Sequence, residues 1–176
     1  VVLDADWYAR QAVRPGTDCW LKLRELLGED FFARDGELQR RKLRNRILED
    51  DRCRREIDAI LHPCIMEAME HEWQRRLAGS PQNLIIFDIP LLFEAKIGHR
   101  FDTIILVYAP AEIQIQRLVN RDKVSRRQAE QTLLMQLPIE SKKEKAHIII
   151  DNSADLEHTR RQVAEVWQRL STVKRQ

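Results

Sequence analysis

The sequence has few features of a secreted, membrane-bound or disulfide-stabilised protein. Its three cysteines, Cys19, Cys53 and Cys64, lack the C-x-x-C spacing of metal sites, which favours reduced thiols in a cytosolic protein. No apolar run approaches the roughly 18 residues needed to cross a bilayer, and no signal peptide is recognisable. We therefore expect a soluble, cytoplasmic protein without a membrane partner.

An excess of charge of one sign is also absent, because 30 Lys and Arg residues are balanced by 28 Asp and Glu residues. The net charge of +2 does not require a nucleic-acid partner, although local basic patches can still bind phosphate. The chain has 176 residues, of which 43% are hydrophobic, and is long enough for one globular domain with a real core. We expect a monomer or a weak homo-oligomer with no nucleic-acid partner.

What the sequence does contain is a short, continuously apolar stretch at residues 84–87, bounded by Pro81 and Pro90. Such a run with β-branched residues is typical of a strand buried on both faces of a parallel sheet. The first charge after it is Asp88. Because ligands lie beyond the carboxyl ends of strands in open α/β sheets, Asp88 is a candidate site residue. An aspartate that caps the following turn is an equally good interpretation.

Further apolar runs alternate with helical patterns, which predicts an α/β fold with a parallel sheet and right-handed crossovers. Thr17 and Ser125 are predicted N-caps, and His62-Pro63 is predicted to separate two helices. Strands are predicted at residues 1–3, 84–87, 103–108 and 147–150, and helices at 7–13, 18–27, 38–50, 51–61, 64–77, 110–122 and 156–173, with another after Ser125.

Three carboxylates follow predicted strands: Asp4 and Asp6 after the first, and Asp88 after the second. Carboxylates gathered at the carboxyl edge of one sheet suit a hard cation such as Mg²⁺, or a general base that accepts a hydroxyl proton. A helix N-cap role for Asp4 or Asp6 is the alternative.

Two groups of basic residues are candidate phosphate sites. Arg117 and Arg121 share one helical face, and Arg126 follows on a loop, so their guanidiniums can fold over a polyphosphate. The alternative is a solvated basic face. The basic residues between positions 40 and 55 are interleaved with acids, so a surface of ion pairs is the default there. A nucleic-acid-binding helical protein is a weaker third interpretation, which predicts strongly salt-dependent binding.

An ordered set of motifs along almost the whole chain closely resembles the dephospho-CoA kinase family. The D-x-P-L-L-F-E segment and the Leu-His-Pro segment are specific to that family. The matching segments are Asp4-Ala5-Asp6, Ala9-Arg10, Val13-Arg14-Pro15-Gly16, Leu61-His62-Pro63, Asp88-Ile89-Pro90-Leu91-Leu92-Phe93-Glu94, Gln116-Arg117 to Arg121-Asp122, and Ile150-Asp151-Asn152-Ser153.

This resemblance implies a P-loop kinase-like parallel sheet flanked by helices, with a helical substrate-binding insertion and a lid. The implied reaction transfers the γ-phosphoryl group of ATP, with Mg²⁺, to the ribose 3′-hydroxyl of dephospho-CoA, the last step of CoA synthesis. The corresponding domains are a core at residues 1–14, 80–116 and 145–176, a helical CoA-binding domain at 15–79, and a lid at 117–144.

The resemblance also implies roles for individual residues. Asp6 is the expected base at the 3′-hydroxyl, Asp4 helps to place Mg²⁺ or substrate, and Arg117 and Arg121 are lid arginines with a catalytic role. The expected substrate-binding residues are Asp4, Arg44, His62, Asp88, Pro90, Leu91, Phe93 and Glu94, and the expected nucleotide-binding residues are Arg121, Arg126 and Asn152.

One departure from the family pattern concerns glycine. Only five glycines occur, and none is followed by Lys-Ser or Lys-Thr, so the G-x-x-x-x-G-K-[ST] loop is absent. That loop supplies backbone N–H groups and a lysine for the phosphates and a hydroxyl for Mg²⁺. We therefore expect this chain to bind ATP poorly and to be a truncated kinase, because residues 1–3 match the strand after that loop. A catalytically silent relative that binds CoA or a nucleotide is the alternative.

Overall fold

The computed structural model describes residues 1–79 and 84–172, so Pro81 and Val173, which bound two predicted elements, lie outside the described residues. The chain divides into two compact units, Val1–Pro90 and Leu91–Gln176. Each unit contains a pair of parallel strands together with helices, which confirms the predicted α/β class. Across these described ranges, no helix combines the length and apolar character of a membrane span.

The first unit places two strand ends side by side. Its strands β1 and β2 are parallel, and their register pairs Asp4 with Asp88. The strands and α-helices of this unit, in chain order, are β1 (Val2–Asp4), α1 (Ala5–Ala12), α2 (Asp18–Leu27), α3 (Arg40–Glu49), α4 (Asp51–Gly79) and β2 (Ile86–Asp88), and a short 3-10 helix at Glu29–Phe31 lies between α2 and α3.

Helix α2 begins and ends where the sequence predicts. The Thr17 side chain accepts a hydrogen bond from the backbone N–H of Trp20, which satisfies one of the free donors of the first turn. Gly28 follows the last helical residue with a φ of 80°, a conformation that glycine adopts without steric cost. Local chemistry therefore sets both ends of this helix.

The predicted break at His62-Pro63 is wrong, because α4 continues through it as one helix of 29 residues. A proline inside a helix removes one backbone hydrogen bond and strains the preceding turn. Packing offsets this cost, since α4 contacts α1, α2 and α3 along its length. Ile57 lies in one apolar cluster before Pro63, and Met69 lies in another after it, and neither is exposed.

Two apolar clusters form the core of the first unit. One surrounds Leu23 and Ile57 between α2, α3 and α4, and includes the buried thiols of Cys19 and Cys53, which confirms their interpretation as packing residues. The other joins Leu3 of β1 to Met69 of α4. The second cluster lies next to the end of β1, so it fixes the position of the carboxylates that follow.

The second unit repeats the arrangement of parallel strands with helices. Strand β3 pairs with β4 in parallel, so Tyr108 is in register with Asp151. Ser125 forms the predicted capping box with Gln128, and a helix starts directly after Pro138. The strands and α-helices are β3 (Ile105–Tyr108), α5 (Ala111–Asp122), α6 (Arg126–Leu134), α7 (Ile139–Lys143), β4 (Ile148–Asp151) and α8 (Leu156–Thr172), and a short 3-10 helix at Gly98–Arg100 precedes β3.

The strands are less buried than their apolar sequences predict. Residues 84–87 are half-buried rather than buried on both faces, and Val107 of β3 is 56% exposed. Among the described residues each sheet has only two strands, so each strand has one strand neighbour. An apolar run shows that a strand can be buried. The number of elements packed against the strand decides what fraction of its surface is buried.

Candidate active site

Three carboxylates meet at one edge of the first unit, as the sequence predicts. Asp4 ends β1 and Asp88 ends β2, and these two residues are register partners on parallel strands that are spaced about 4.8 Å apart. Asp6 follows in the first turn of α1. We call Asp4, Asp6 and Asp88 the carboxylate edge.

Asp4 caps helix α1, which confirms the N-cap interpretation for this residue. Its Oδ1 accepts hydrogen bonds from the backbone N–H of Asp6 at 2.8 Å and of Trp7 at 3.1 Å. These bonds anchor one carboxylate oxygen and leave Oδ2 without a partner among the described residues. Asp4 therefore orients the start of α1, and with it Asp6, while keeping one oxygen available to a ligand.

The carboxylate edge concentrates negative charge. Partial desolvation raises the pKa of Asp88, and the negative charges of Asp4 and Asp6 raise it further. Within residues 1–79 and 84–172, no group of three His, Cys, Asp or Glu side chains is arranged to hold a metal ion by itself. The edge can still attract a cation that has other ligands, or accept a proton from a hydroxyl group.

In the second unit, helix α5 presents Arg117 and Arg121 on the same side. They line an open groove of about 610 Å³ together with Gln114, Leu118 and Asn120. Arg117 donates from Nη2 to the backbone carbonyl of Asn152 at 2.7 Å, so the structure brings these two predicted site residues together. The Arg121 guanidinium donates to the adjacent Asp122 carboxylate at 2.8 Å and remains largely exposed.

Arg126 is held by two carboxylates. It makes a two-pronged contact with Glu112 at 2.6 and 2.7 Å, and it contacts Glu130 at 2.8 Å. Its hydrogen bonds to Glu112 and Glu130 raise the pKa of the already basic guanidinium. A phosphate can therefore bind Arg126 only by replacing one of these partners.

Glu94 lies in the series of turns at residues 90–96, where its Oε1 accepts hydrogen bonds from Lys142 Nζ and from the backbone N–H of Leu137, both at 2.8 Å. Lys142 is only 5% exposed. Lys142 was not predicted as a site residue from the sequence, because it lies far from Glu94 along the chain and has several other lysines around it. No local pattern indicates that it is buried.

The remaining predicted substrate-binding residues occupy two helices. His62 lies inside α4 rather than at a helix end, with its Nε2 3.9 Å from the Asp58 carboxylate. Arg44 is exposed on α3. The predicted interleaving of charges between positions 40 and 55 is confirmed by ion pairs of Arg46 with Asp50, Arg52 with Glu56, and Arg54 with Asp51.

Comparison with known proteins identifies the family. The family described as dephospho-CoA kinase matches residues 1–158. The chain belongs to the dephospho-CoA kinase family. The dephospho-CoA kinase of Halalkalibacterium halodurans is 33% identical over 172 residues, covering 98% of this chain and 85% of the relative. The dephospho-CoA kinase of Geobacter sulfurreducens is 36% identical, covering 95% of this chain and 84% of the relative.

Solved structures agree with this family. A crystal structure from Thermus thermophilus is similar with a TM-score of 0.76 at 29% identity, covering 96% of this chain and 84% of that chain. Dephospho-CoA kinase from Campylobacter jejuni has a TM-score of 0.66 at 23% identity, covering 97% and 84%. The predicted dephospho-CoA kinase resemblance and the P-loop kinase-like α/β fold are thereby confirmed. The roles of individual residues and the division into core, CoA-binding helices and lid stay predictions.

Proposed function

We propose that this protein transfers the γ-phosphoryl group of ATP to the ribose 3′-hydroxyl of dephospho-CoA, giving CoA and ADP as the last step of CoA synthesis. The observation that carries this proposal is the family match over residues 1–158, which includes every residue to which we assign a role. The carboxylate edge and the arginines of α5 supply side chains of the chemical types that this reaction requires.

In this reaction Asp6 accepts the proton of the 3′-hydroxyl as that oxygen bonds to the γ-phosphorus and the bond to the β-phosphate oxygen breaks. Its position in the first turn of α1, oriented by the Asp4 cap, supports this role. Asp88 adds negative charge at this edge, which attracts a proton or a cation. Such a base contributes to the rate of transfer rather than to binding.

Arg117 and Arg121 offset the charge that spreads over the transferred phosphoryl group. Their placement along one groove of α5 supports a shared phosphate ligand. Arg126 and Asn152 belong to the same nucleotide-binding set, and the contact between Arg117 and the Asn152 carbonyl supports that grouping. The proposed lid comprises residues 117–144, and the proposed core comprises residues 1–14, 80–116 and 145–176.

Mg²⁺ fits the side chains at the carboxylate edge. This ion is commonly held by one or two carboxylates together with substrate phosphates, so a complete protein cage is not required. Asp4 would hold it through Oδ2, since Oδ1 is engaged by backbone N–H groups. When bound with ATP, Mg²⁺ neutralises charge on the phosphates.

The acceptor, dephospho-CoA, is proposed to bind through His62, Arg44 and Asp88 and through the turns that carry Pro90, Leu91, Phe93 and Glu94. The helices at residues 15–79 form the proposed CoA-binding domain. Free cysteines and small-molecule substrates support a cytoplasmic enzyme, and we propose a monomer or a weak homo-oligomer.

The test is direct assay of CoA formation. The 176-residue chain and the product of its whole natural reading frame are each incubated with ATP, Mg²⁺ and dephospho-CoA, and CoA and ADP are quantified by mass spectrometry. We expect equal amounts of CoA and ADP, loss of both when EDTA removes Mg²⁺, and slower turnover by the 176-residue chain if it lacks a phosphate loop that the whole product contains.

Two other results would change the conclusion. Tight binding of dephospho-CoA without turnover by the whole product would assign it to a catalytically silent CoA-binding relative. Neither binding nor turnover would overturn the proposed function.

A further inference from the structure

The two carboxylate oxygens of Glu94 have very different surroundings. Oε1 receives two donors, Lys142 Nζ and the Leu137 N–H, whereas Oε2 is buried and has no hydrogen-bond donor among the described residues. The Glu94 side chain is 18% exposed, and that of Lys142 is 6% exposed. Gln136 provides a second contact for the lysine, with its Oε1 3.3 Å from Nζ.

A buried carboxylate oxygen without a donor is unusual. Native structures satisfy the large majority of buried polar atoms, so each exception calls for an explanation. Leaving a charged acceptor unmatched costs more than leaving a neutral one, and two well-packed apolar side chains in these positions would avoid the cost altogether. Stability alone therefore does not explain why this pair is present.

The pair also joins two segments of the second unit. Glu94 belongs to the turns at residues 90–96, and Lys142 and Leu137 belong to α7 and the connection that precedes it. Lys96, at the end of the turns, has a φ of 57°, so this backbone is held in a conformation that a lysine rarely adopts. The Glu94 contacts thus fix a turn whose other residues, Leu91 and Phe93, are proposed acceptor contacts.

We propose that Lys142 is a positioning residue of the acceptor site, which holds the Glu94 carboxylate so that Oε2 accepts a hydrogen bond from a hydroxyl or N–H donor of dephospho-CoA. This inference rests on the proposed function and adds a residue to it. Lys142 acts through Glu94 and does not itself touch the substrate. Because Oε2 is buried, this role requires the turns at residues 90–96 to move aside when the donor enters.

The test compares Lys142→Met, Glu94→Gln and the double variant in the product of the whole reading frame, with Lys145→Met as the matched control on an exposed lysine. Each single change is expected to raise KM for dephospho-CoA about tenfold or more, the effect of losing a hydrogen bond to a charged group. KM for ATP and the Lys145→Met control remain unchanged. Glu94→Gln places a donor where the substrate needs an acceptor.

The double variant separates positioning from direct contact. If Lys142 acts through Glu94, then Lys142→Met has little further effect on KM once Glu94 is already Gln, so the two effects do not multiply. The double variant also leaves no uncompensated charge buried, so it retains its fold even where Lys142→Met alone does not. Multiplying effects would show that Lys142 contacts the substrate directly and would overturn the positioning role.

A purely structural pair gives a different pattern. In that case Tm falls in the single variants while KM for dephospho-CoA, measured well below Tm, stays at the wild-type value, which overturns the inference alone. The same comparison is made with the dissociation constant of dephospho-CoA by calorimetry. A wild-type protein that neither binds nor phosphorylates dephospho-CoA instead overturns the proposed function, together with the inference that rests on it.

Discussion

The carboxylate edge of the first unit and the arginines of α5 and α6 in the second unit differ in whether their charges have partners. Asp4, Asp6 and Asp88 are close enough for the first two to raise the pKa of the third, and none forms an ion pair with another described residue. Each of the arginines already has a partner: Arg117 the Asn152 carbonyl, Arg121 the Asp122 carboxylate, and Arg126 two glutamates.

This difference shows what each group needs from a ligand. Repulsion among the aspartates is relieved by a cation or a proton, so binding there stabilises the fold. When an arginine binds a phosphate it must first release its present partner. The net gain in free energy is therefore only the difference between the two interactions. Uncompensated charge in a folded protein is therefore the stronger indication of a binding site. For a paired arginine, a binding role requires an experiment that shows a ligand replacing the partner.

The largest effect is expected from Asp6→Asn, which removes the proposed base and one charge from the carboxylate edge. We expect kcat to fall by about a hundredfold or more, with little change in the affinity for dephospho-CoA. Steady-state kinetics and calorimetry measure the two quantities. Asp18→Asn, also in the first turn of a helix, is the matched control and should retain activity. Near-normal turnover in Asp6→Asn would remove Asp6 from its proposed role.

A smaller loss is expected from Arg121→Ala, which removes a charge proposed to act in the transition state. We expect kcat to fall by about tenfold to a hundredfold, with Tm almost unchanged because the Arg121 ion pair is exposed. Arg127→Ala, on the neighbouring exposed arginine, is the control. An unchanged rate with a lowered Tm would make Arg121 a structural ion-pair residue.

Asp88→Asn tests whether charge repulsion at the carboxylate edge destabilises the folded protein. The folded-state pKa of Asp88 is raised, so ionisation of Asp88 at neutral pH costs the folded state free energy that protonation at acid pH recovers. We expect the variant to melt about 1–3 °C higher than the wild type at neutral pH. The difference should disappear as pH falls and Asp88 becomes protonated.

Calorimetry over a range of pH measures this effect, and Asp102→Asn, at an exposed position in a loop, provides the control. A lower Tm for Asp88→Asn at neutral pH would mean that this carboxylate is stabilised by its surroundings and is not destabilised by repulsion from Asp4 and Asp6.

The smallest effect, and one of opposite sign, is expected from Glu72→Gln in the same unit. Hydrogen bonds from Arg75 and Arg76 lower the pKa of Glu72 from 4.5 to about 2. Its stabilisation is therefore complete above its unfolded-state pKa and is lost as pH falls toward 2. The variant should have a slightly lower Tm than the wild type at neutral pH, and this difference in Tm should disappear as the pH is lowered.

Glu67→Gln, an exposed carboxylate on the same helix, is the control for this variant. If the difference in Tm between Glu72→Gln and the wild type persists unchanged to pH 2, the carboxylate charge is not the source of the effect.

The locally encoded parts of the fold were predictable. Thr17 and Ser125 cap the helices that follow them, because each of these signals depends on atoms within about one helical turn. The carboxylate edge was predictable for a related reason. Polar residues that directly follow apolar strands gather at one edge once the strands pair in parallel.

Other features depend on residues that are distant in the sequence. Pro63 did not end α4, because packing of α4 against α1, α2 and α3 outweighs the lost hydrogen bond. The pairing of Arg126 with Glu112 and of Lys142 with Glu94 was not predictable, since no local pattern specifies a partner on another element.

The sequence by itself determined the family, the α/β class, most helix ends and the residues at the carboxylate edge, because motif, periodicity and capping act over short distances along the chain. Only the tertiary structure decided which charges are paired and which are not, how deeply each strand is buried, and that one oxygen of Glu94 has no donor among the described residues. The physical reason is that burial and partner choice are properties of packed elements, and packing joins residues that the sequence keeps apart.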